Sequence, residues 1–179
     1  IDAGVKDSNQ MGSAMAPAAV DTILTHLEET GRTLDHYDLV CTGDLGFIGK
    51  SIVRDLLEDA GVSRKMIADV YDDCGAMIYA PEQDIHSGGS GCGCSASVFA
   101  GYVYRNMKEG KIGRALIVST GAMLSTISPF QGESIPGIAH AISLESVSGI
   151  MDREKGCRNC HLHGNVEVAE HVFVGEECR

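Results

Sequence analysis

The residues best suited to chemistry lie in one glycine-rich stretch at positions 86–98. Four of the six residues 88–93 are glycine, so the backbone there can take positive φ angles and approach a bound group closely. The stretch leads into apolar residues at helical spacing, and Gly110 stands where a helix would end. Those apolar residues are Val98, Phe99, Tyr102, Val103 and Met107. The free N–H groups of the first helical turn therefore predict a binding site for a carboxylate or a phosphate.

Two cysteines, Cys92 and Cys94, allow a second interpretation of this stretch. A helix N-terminus favours the thiolate form of a cysteine, which would suit a nucleophilic or redox role. His86 is the one histidine close by in sequence, and small cysteines are common in protein cores, so we predict that both thiols serve packing. We expect no disulfide between them, because one intervening residue would make a strained ring.

A second loop, at residues 44–51, is similar to a phosphate-binding P-loop. It follows a predicted strand, opens a predicted helix and ends in Gly49-Lys50-Ser51. The P-loop pattern requires glycine at the position of Asp44, and a carboxylate there would repel phosphate. We therefore do not expect nucleotide binding.

The final part of the chain carries a candidate zinc site. Cys157 and Cys160 have the Cys-x2-Cys spacing of a zinc knuckle, and His163 or His171 together with Cys178 would complete a tetrahedral set. A second Cys-x2-Cys pair is absent from the sequence. A flexible or artefactual tail is therefore favoured over a zinc site.

The elements that must position these residues alternate between helix and strand. The predicted helices cover residues 16–30, 49–60 and 94–108, and the predicted strands cover residues 38–42, 76–80, 114–120 and 138–145. Pro17 fits the first position of its helix, while Asp72 and Asp73 are predicted to lie in a solvated turn. This alternation favours an α/β fold, a layered mixed β-sheet covered by helices on both faces.

Composition narrows the class of protein. With 179 residues the chain is long enough for one domain with a full core. Its hydrophobic share of 44% and charged share of 22% are ordinary for a globular protein, and no apolar run reaches the roughly 20 residues that cross a bilayer. The net charge of −11 argues against unaided binding to nucleic acid or anionic lipid. Seven scattered cysteines indicate a reducing cytosol, and a start at Ile1 suggests a processed piece.

Five segments, in order along the chain, resemble the C-terminal half of the stage V sporulation protein AD (SpoVAD) family. They are residues 11–19, 37–45, 72–75, 88–95 and 138–140, which read MGSAMAPAA, YDLVCTGDL, DDCG, GGSGCGCS and IAH. The resemblance implies that residues 1–146 form half of a thiolase-like domain, in which two similar halves pack together. Residues 147–179 would then be a separate tail.

The resemblance also implies a function. The family is implied to belong to the SpoVA apparatus, which moves dipicolinic acid with its calcium into the developing spore and out at germination. We therefore expect a non-enzymatic subunit that binds dipicolinic acid, lies in the cytoplasm against the spore inner membrane and works with other SpoVA proteins. Because full thiolase-like folds usually dimerise, we also expect a homodimer. No nucleic acid partner is expected.

Two alternatives to a binding subunit stay open. Acyl-transfer enzymes of this fold need a nucleophilic cysteine, which the family pattern places in the other half, and His or Asn partners for proton transfer and oxyanion support. Where those enzymes carry the partners, this chain has Thr-Gly-Asp at 42–44 and Gly-Ser-Gly at 89–91. An active acyltransferase completed by the missing half is the first alternative. A structural scaffold with a vestigial pocket is the second.

In the arrangement that the resemblance implies, a planar dicarboxylate would lie against the glycine loop. The residues expected to contact it are Gly89, Ser90, Gly91, Cys92, Ser95, Thr42, Asp44 and His140. The loop would supply backbone donors, and the two serines would add hydroxyl donors.

Calcium is the one further ligand that the resemblance suggests, because dipicolinic acid travels with it. If the ligand arrives as its calcium chelate, Asp44, Asp72 or Asp73 is expected to offer oxygen to the metal. No other cofactor is expected. His140 lies within a predicted apolar strand, so a buried core histidine is the simpler expectation for this residue.

Overall fold

The computed structural model describes residues 1–125 and 127–146, together with one strand at 166–169. The strands form one five-stranded sheet in the order β2-β1-β3-β4-β5. Their bounds are β1 Leu39–Thr42, β2 Tyr71–Asp73, β3 Arg114–Ala122, β4 Gly137–Ser146 and β5 Val166–Ala169. β1 runs parallel to β2 and to β3, whereas β4 is antiparallel to both β3 and β5. The predicted layered α/β fold with a mixed sheet is confirmed.

Helices occupy both faces of this sheet. Their bounds are α1 Met11–Thr30, α2 Gly46–Asp59, α3 Arg64–Val70, α4 Cys74–Met77, α5 Cys94–Val98 and α6 Tyr104–Lys108, with a π-helical turn at Phe99–Val103 between the last two. Short 3-10 turns lie at Ser8–Gln10, Leu34–His36, Pro81–Gln83 and Ser128–Gln131. Since the π-helical turn keeps helical φ and ψ at both ends, α5 and α6 form one continuous helix.

The core lies on both sides of β1 and β3, because side chains alternate along a strand. Val40, Leu116 and Val118 face the layer of α1, α2 and α3. Cys41 and Ile117 face the opposite layer, where α5 and α6 pack. Burying each Val, Leu or Ile side chain contributes about 1.5–3 kcal/mol, so the two layers together hold the central strands in place.

The first helix is longer than its predicted span. It begins at Met11 instead of residue 16, so Pro17 lies inside the helix and not at its first position. Proline has no N–H, and the Ser13 carbonyl therefore loses its usual helical donor. The predicted end is confirmed, since Gly31 caps the helix with φ of +63°.

The predictions for residues 72–73 and 76–80 are wrong. A strand was expected at 76–80 and a solvated turn at Asp72–Asp73, but the two aspartates belong to β2 and residues 74–77 are helical. The Asp73 side chain is completely buried. A strand of three residues that contains two acids lacks the apolar signature on which the prediction relied.

The predictions for the helix after Gly93 and for the strands that became β3 and β4 are confirmed. The helix after Gly93 ends at Lys108 and Gly110 takes φ of +72°, as its position indicated. β3 and β4 each extend a residue or two beyond their predicted ends. Within the described part of the chain, no helix is long and apolar enough to cross a membrane.

Candidate functional site

The carboxyl ends of β1 and β2 lie side by side at one edge of the sheet, because the two strands are parallel neighbours. Thr42, which ends β1, pairs with Asp73, which ends β2. From there the chain leaves β1 through residues 43–45 into α2, and it leaves β2 directly into α4. Ligands of open α/β sheets usually bind at this edge. We call these two points, where the chain leaves β1 and β2, the exits.

A buried carboxylate joins the two exits. Asp73 accepts hydrogen bonds from the Thr42 hydroxyl at 2.7 Å and from the backbone N–H groups of Leu45 at 3.1 Å, Gly46 at 2.9 Å and Ala76 at 3.2 Å. Burial raises the pKa of Asp73, although these four hydrogen bonds act in the opposite direction. The hydrogen bonds of the Asp73 side chain therefore stabilise the starts of α2 and α4.

Glycines let the glycine-rich stretch pack against these exits, backbone on backbone. The Gly89 N–H donates to the Gly75 carbonyl at 2.7 Å, and the Phe47 N–H donates to the Ser87 carbonyl at 3.1 Å. A Cβ added at Gly75 would overlap the Gly89 oxygen, and one added at Gly46, where φ is +67°, would overlap the Ser87 oxygen. We call Thr42, Gly46, Asp73, Gly75 and Gly89 the junction.

The outer half of the glycine-rich stretch is open, and a second carboxylate lies on it. Asp44 accepts the Gly91 N–H at 2.8 Å and the Ser90 hydroxyl at 3.3 Å through Oδ2, and it accepts the Thr120 hydroxyl at 3.1 Å through Oδ1. Cβ atoms added at Gly91 or Gly93 would meet nothing within 4 Å. We call Asp44, Ser90, Gly91, Cys92 and Gly93 the rim.

A cleft of about 230 Å³ opens between the rim and the start of α1. Its lining residues are Ser8, Asn9, Gln10, Met11, Gly12, Ser13, Asp44, Leu45, Gly46, Ile48, Ser87, Gly88, Gly89 and Ser90. Among these described lining residues, Asp44 has the one charged side chain. The amides of Asn9 and Gln10 donate to Asp7, at 3.0 Å and 3.3 Å. The cleft therefore has a mixed polar and apolar lining, and its lining side chains carry a single negative charge.

The structure brings together four of the predicted ligand contacts. Gly89, Ser90 and Asp44 line the cleft, and Gly91 bonds to Asp44 beside it. Cys92 is exposed on the rim but does not line the cleft. The prediction that the glycine loop offers free donors needs correction here, because Asp44 occupies the Gly91 N–H and the Ser90 hydroxyl.

Three other predicted contacts lie elsewhere. Thr42 is completely buried, and its hydroxyl donates to Asp73 while it accepts from Tyr71 at 2.9 Å, so it offers no group to a ligand in this structure. Ser95 is half-buried in α5 and does not line the cleft. His140 is exposed on β4 opposite Ser119, which corrects the expectation of a buried core histidine.

The two carboxylates of β2 are poor candidates for a calcium ligand. Asp73 is buried with four donors on it, and Asp72 forms an ion pair with Lys50 at 2.6 Å. Asp44 is the predicted oxygen ligand that remains at the cleft. Of the three carboxylates predicted as calcium ligands, Asp44 therefore remains as the one candidate.

The cysteines of this region divide by burial. Cys94 is buried as predicted, and burial raises its pKa to about 11, which disfavours the thiolate. Cys92 is exposed, so packing is the wrong prediction for this thiol. Both are free thiols in the structure. Cys41 and Cys74 lie 3.2 Å apart, sulfur to sulfur, and their hydrogen bond followed by burial raises the pKa of Cys41.

The predicted zinc ligands Cys157, Cys160, His163 and Cys178 lie outside the described residues. Within the described ranges, 1–125 and 127–146, no three His, Cys, Asp or Glu side chains are placed to hold a metal ion.

Sequence reasoning missed two contributors to the site. Thr120 lies near the end of β3, which is parallel to β1, so its hydroxyl reaches the same sheet edge. Residues 8–13 line the cleft from the start of α1. The strand order would have placed Thr120, since parallel neighbours share a carboxyl edge. A longer predicted α1 would have placed its first turn there as well.

Comparisons with known proteins place this region inside the part of the chain that matches a family model. The family model for stage V sporulation protein AD matches residues 1–145. Stage V sporulation protein AD of Bacillus subtilis (strain 168) is 46% identical over 148 residues, which is 83% of this chain and 43% of that relative. The chain thus spans less than half of the relative's length. It belongs to the stage V sporulation protein AD family, a family of sporulation proteins.

Proposed function

We propose that this chain supplies a binding site for dipicolinic acid, taken as its calcium chelate, in a non-enzymatic sporulation protein. The observation that carries the proposal is the rim, where one carboxylate and several backbone groups of a glycine loop face a small cleft. The cleft volume of about 230 Å³ lies below the roughly 300 Å³ at which pockets for drug-sized ligands begin. A single aromatic ring with two carboxylates is a ligand of suitable size.

The charge of the cleft favours the chelate over the free acid. A dicarboxylate alone would meet the negative charge of Asp44, and no cationic side chain is among the described lining residues. Calcium prefers oxygen ligands, and a chelated calcium ion still accepts oxygens from a protein carboxylate. Asp44 would hold the metal side of the chelate, while backbone N–H groups of the loop would hold a ligand carboxylate.

At the two positions where the resemblance implies His or Asn partners for acyl transfer, the described structure has hydroxyl side chains. Thr42 and Ser90 stand where related enzymes carry their His or Asn partners, and both hydroxyls donate to aspartates. A hydroxyl bound in this way does not accept a proton near neutral pH, whereas imidazole does. No histidine is among the described residues that line the cleft. These observations support binding without catalysis.

We propose further that the described sheet and helices are one half of a thiolase-like domain, completed by a second, similar half. In that arrangement the protein would form a homodimer and would lie at the spore inner membrane through other SpoVA proteins. The uncovered part of the β4 face supports a missing cover, because Ile138 and Ile142 are 47% and 45% exposed. Light scattering on the full-length protein tests the dimer, and a clean monomer would contradict it.

Calorimetric titration of the full-length protein with dipicolinic acid, with calcium and with a chelator, tests the proposed function. We expect heat with the calcium chelate, and a loss of that heat when Ser90→Phe fills the cleft mouth. Ser51→Phe is the matched control, since Ser51 is exposed on α2 and does not line the cleft.

Two results would replace the proposal. No heat under either condition, together with thiolysis of an acyl-CoA, would favour the acyltransferase. Normal spore dipicolinate and normal protein levels with Ser90→Phe would favour the scaffold.

A further inference from the structure

We propose that Cys41 and Cys74 are a redox-sensitive pair, which forms a reversible disulfide when the protein meets a peroxide and thereby locks the two exits of the sheet together. Both cysteines are buried free thiols in the structure. Neither of them lines the cleft, so the lock is independent of any ligand that binds there.

The two thiols lie next to the buried carboxylate and its hydroxyl donor. Cys41 precedes Thr42 in β1. Cys74 follows Asp73 and is the first residue of α4. Their Sγ atoms are 3.2 Å apart. A disulfide places its sulfurs about 2.05 Å apart, so the two sulfurs must approach each other by about 1.2 Å. Rotation of the two side chains, with a small shift of the short α4, supplies a movement of this size.

A disulfide would give the junction a covalent constraint. In the reduced protein the hydrogen bonds of Asp73 join the two exits, together with a weak contact between the two thiols. Cys41 and Cys74 are 33 positions apart in the sequence, so a disulfide closes a loop that contains α2, α3 and β2. A cross-link over a loop of this length restricts the unfolded chain and thereby stabilises the native state.

The surroundings of the pair favour the thiols and the disulfide over a thiolate. Cys41 is 0% exposed and Cys74 is 1% exposed. The hydrogen bond to Cys74, burial, and the charges of Cys74 and Asp73 all raise the pKa of Cys41. A disulfide is neutral and has no proton to lose. The apolar layer around the pair can therefore hold it without burying a charge.

Because both thiols are buried, oxidation must begin with a local opening of the structure. The helix α4 has four residues, whereas β1 lies inside the sheet between β2 and β3. Two of the hydrogen bonds that hold α4 run from the Ala76 N–H to Asp73 and from the Gly89 N–H to the Gly75 carbonyl. Segments with few hydrogen bonds open at the lowest cost in free energy. Cys74 is therefore the thiol that a peroxide reaches first.

The reaction has two steps, with hydrogen peroxide as the oxidant. The sulfur of Cys74 first attacks one peroxide oxygen, the O–O bond breaks, and a sulfenic acid forms while the other oxygen leaves as water with the thiol proton. The sulfur of Cys41 then attacks the Cys74 sulfur, the S–O bond breaks, and the S–S bond forms as a second water leaves with the Cys41 proton. Two thiols and one peroxide thus give one disulfide and two waters. The two sulfurs together lose two electrons, which the two peroxide oxygens gain.

The test is oxidation of the reduced full-length protein with hydrogen peroxide under native conditions. The protein is then unfolded, its remaining thiols are blocked with iodoacetamide, and it is digested at lysine, arginine and aspartate. Cleavage at Asp84 separates the Cys74 peptide from the peptide of the two cysteines that follow. We expect a peptide that joins Cys41 to Cys74 and that is lost when dithiothreitol is added before the blocking step. The midpoint of thermal unfolding should rise by about 10 °C on oxidation and return on reduction.

Alanine variants of three cysteines are the controls. Cys41→Ala removes one sulfur of the pair and should lose both the joined peptide and the rise of the midpoint. Cys94→Ala is the matched variant, because Cys94 is buried in the same layer, and it should keep both. Cys92→Ala changes an exposed thiol and should also keep both. If Cys41→Ala does not fold, the peptide map of wild type still decides whether the pair forms.

Three results would overturn the redox lock. Oxidation of Cys92, with Cys41 and Cys74 recovered as free thiols, would show that the pair does not react. A peptide that joins Cys74 to Cys94 would show that the pairing is wrong. A disulfide between Cys41 and Cys74 that leaves the midpoint of thermal unfolding unchanged would show that the bond forms without locking the exits.

Discussion

Two carboxylates lie at the same edge of the sheet and have opposite environments. Asp73, in the junction, is completely buried and accepts four hydrogen bonds from two separate segments, residues 42–46 and Ala76. Asp44, on the rim, is partly exposed and faces a cleft. Both carboxylates accept hydrogen bonds from backbone N–H groups. Asp73 accepts them at the starts of α2 and α4, and Asp44 accepts one from Gly91 in the glycine-rich stretch. The comparison shows how the same chemical group can be enclosed by the fold in one place and open to a cleft in the other.

The two environments differ in whether groups other than protein donors can reach the carboxylate. Around Asp73, glycines bring backbones into contact and leave no space for a ligand. Around Asp44, the glycines face open space, so the donors that it holds are also within reach of a ligand. A carboxylate that is held but accessible can exchange its partners, whereas a buried one cannot.

Asp73→Ala should have the largest effect on stability. The variant leaves the N–H groups of Leu45, Gly46 and Ala76 without an acceptor in a buried place, as well as the Thr42 hydroxyl. We expect the free energy of unfolding to fall by about 3 kcal/mol or more, as is typical when several buried donors lose a charged partner. Urea unfolding measures this loss.

Asp44→Ala is the matched variant on the rim, where water can replace the lost acceptor. The free energy of unfolding of this variant should fall by only about 1 kcal/mol. Equal losses for the two variants would erase the distinction between junction and rim.

Glycine substitutions give a second, smaller contrast. Gly46→Ala places a Cβ onto the Ser87 carbonyl in a backbone with φ of +67°, so we expect a loss of about 1–3 kcal/mol. Gly93→Ala adds a methyl group in open space at φ of −90°, and it should change stability by less than about 0.5 kcal/mol. Thermal and urea unfolding of both variants measure these changes in stability. A Gly46→Ala protein as stable as wild type would show that the junction is not closely packed.

The stability of the junction should also depend on pH. Because burial raises the folded-state pKa of Asp73, the native state binds more protons than the unfolded state at intermediate pH. Its contribution to stability is therefore fully present below its ordinary pKa of 3.8 and is lost as pH rises through the raised folded-state pKa. The free energy of unfolding of wild type, relative to Asp73→Asn, should fall across that window. Urea unfolding over a pH series measures it, and a pH-independent difference would contradict the prediction.

Much of the fold could be predicted because its long elements bury regular apolar faces. The spacing of Val20, Ile23 and Leu27 identified α1, and the continuous apolar run of β3 identified a strand covered on both faces. β2 could not be found in this way. Its residues Tyr71–Asp73 are a strand because they pair with β1, which is a tertiary interaction.

The candidate site was predictable in part for a related reason. Glycine density marked the stretch at 86–98, but it did not reveal which glycines pack against backbone and which stay open. That division depends on Gly46 and Gly75, which come from distant parts of the sequence. The same holds for Asp73, because three of its four donors lie at residues 42–46, far from it in sequence, so a turn in solvent was the natural expectation for an acidic pair.

The smallest expected effect concerns the two cysteines that flank Gly93. Cys94 is 5% exposed and packs in the layer of α5, so Cys94→Ala should cost about 1 kcal/mol through the lost sulfur contacts. Cys92→Ala removes an exposed rim side chain and should change the free energy of unfolding by less than about 0.5 kcal/mol. Urea unfolding of the two alanine variants measures both values.

Thiol labelling checks the same contrast without mutation. A pKa of about 11 leaves roughly one Cys94 thiol in a thousand ionised at pH 8, and burial restricts access to it. Iodoacetamide followed by peptide mapping should therefore modify Cys92 in the native protein and reach Cys94 only after unfolding. Equal labelling of the two thiols under native conditions would show that α5 opens readily and that burial does not protect Cys94.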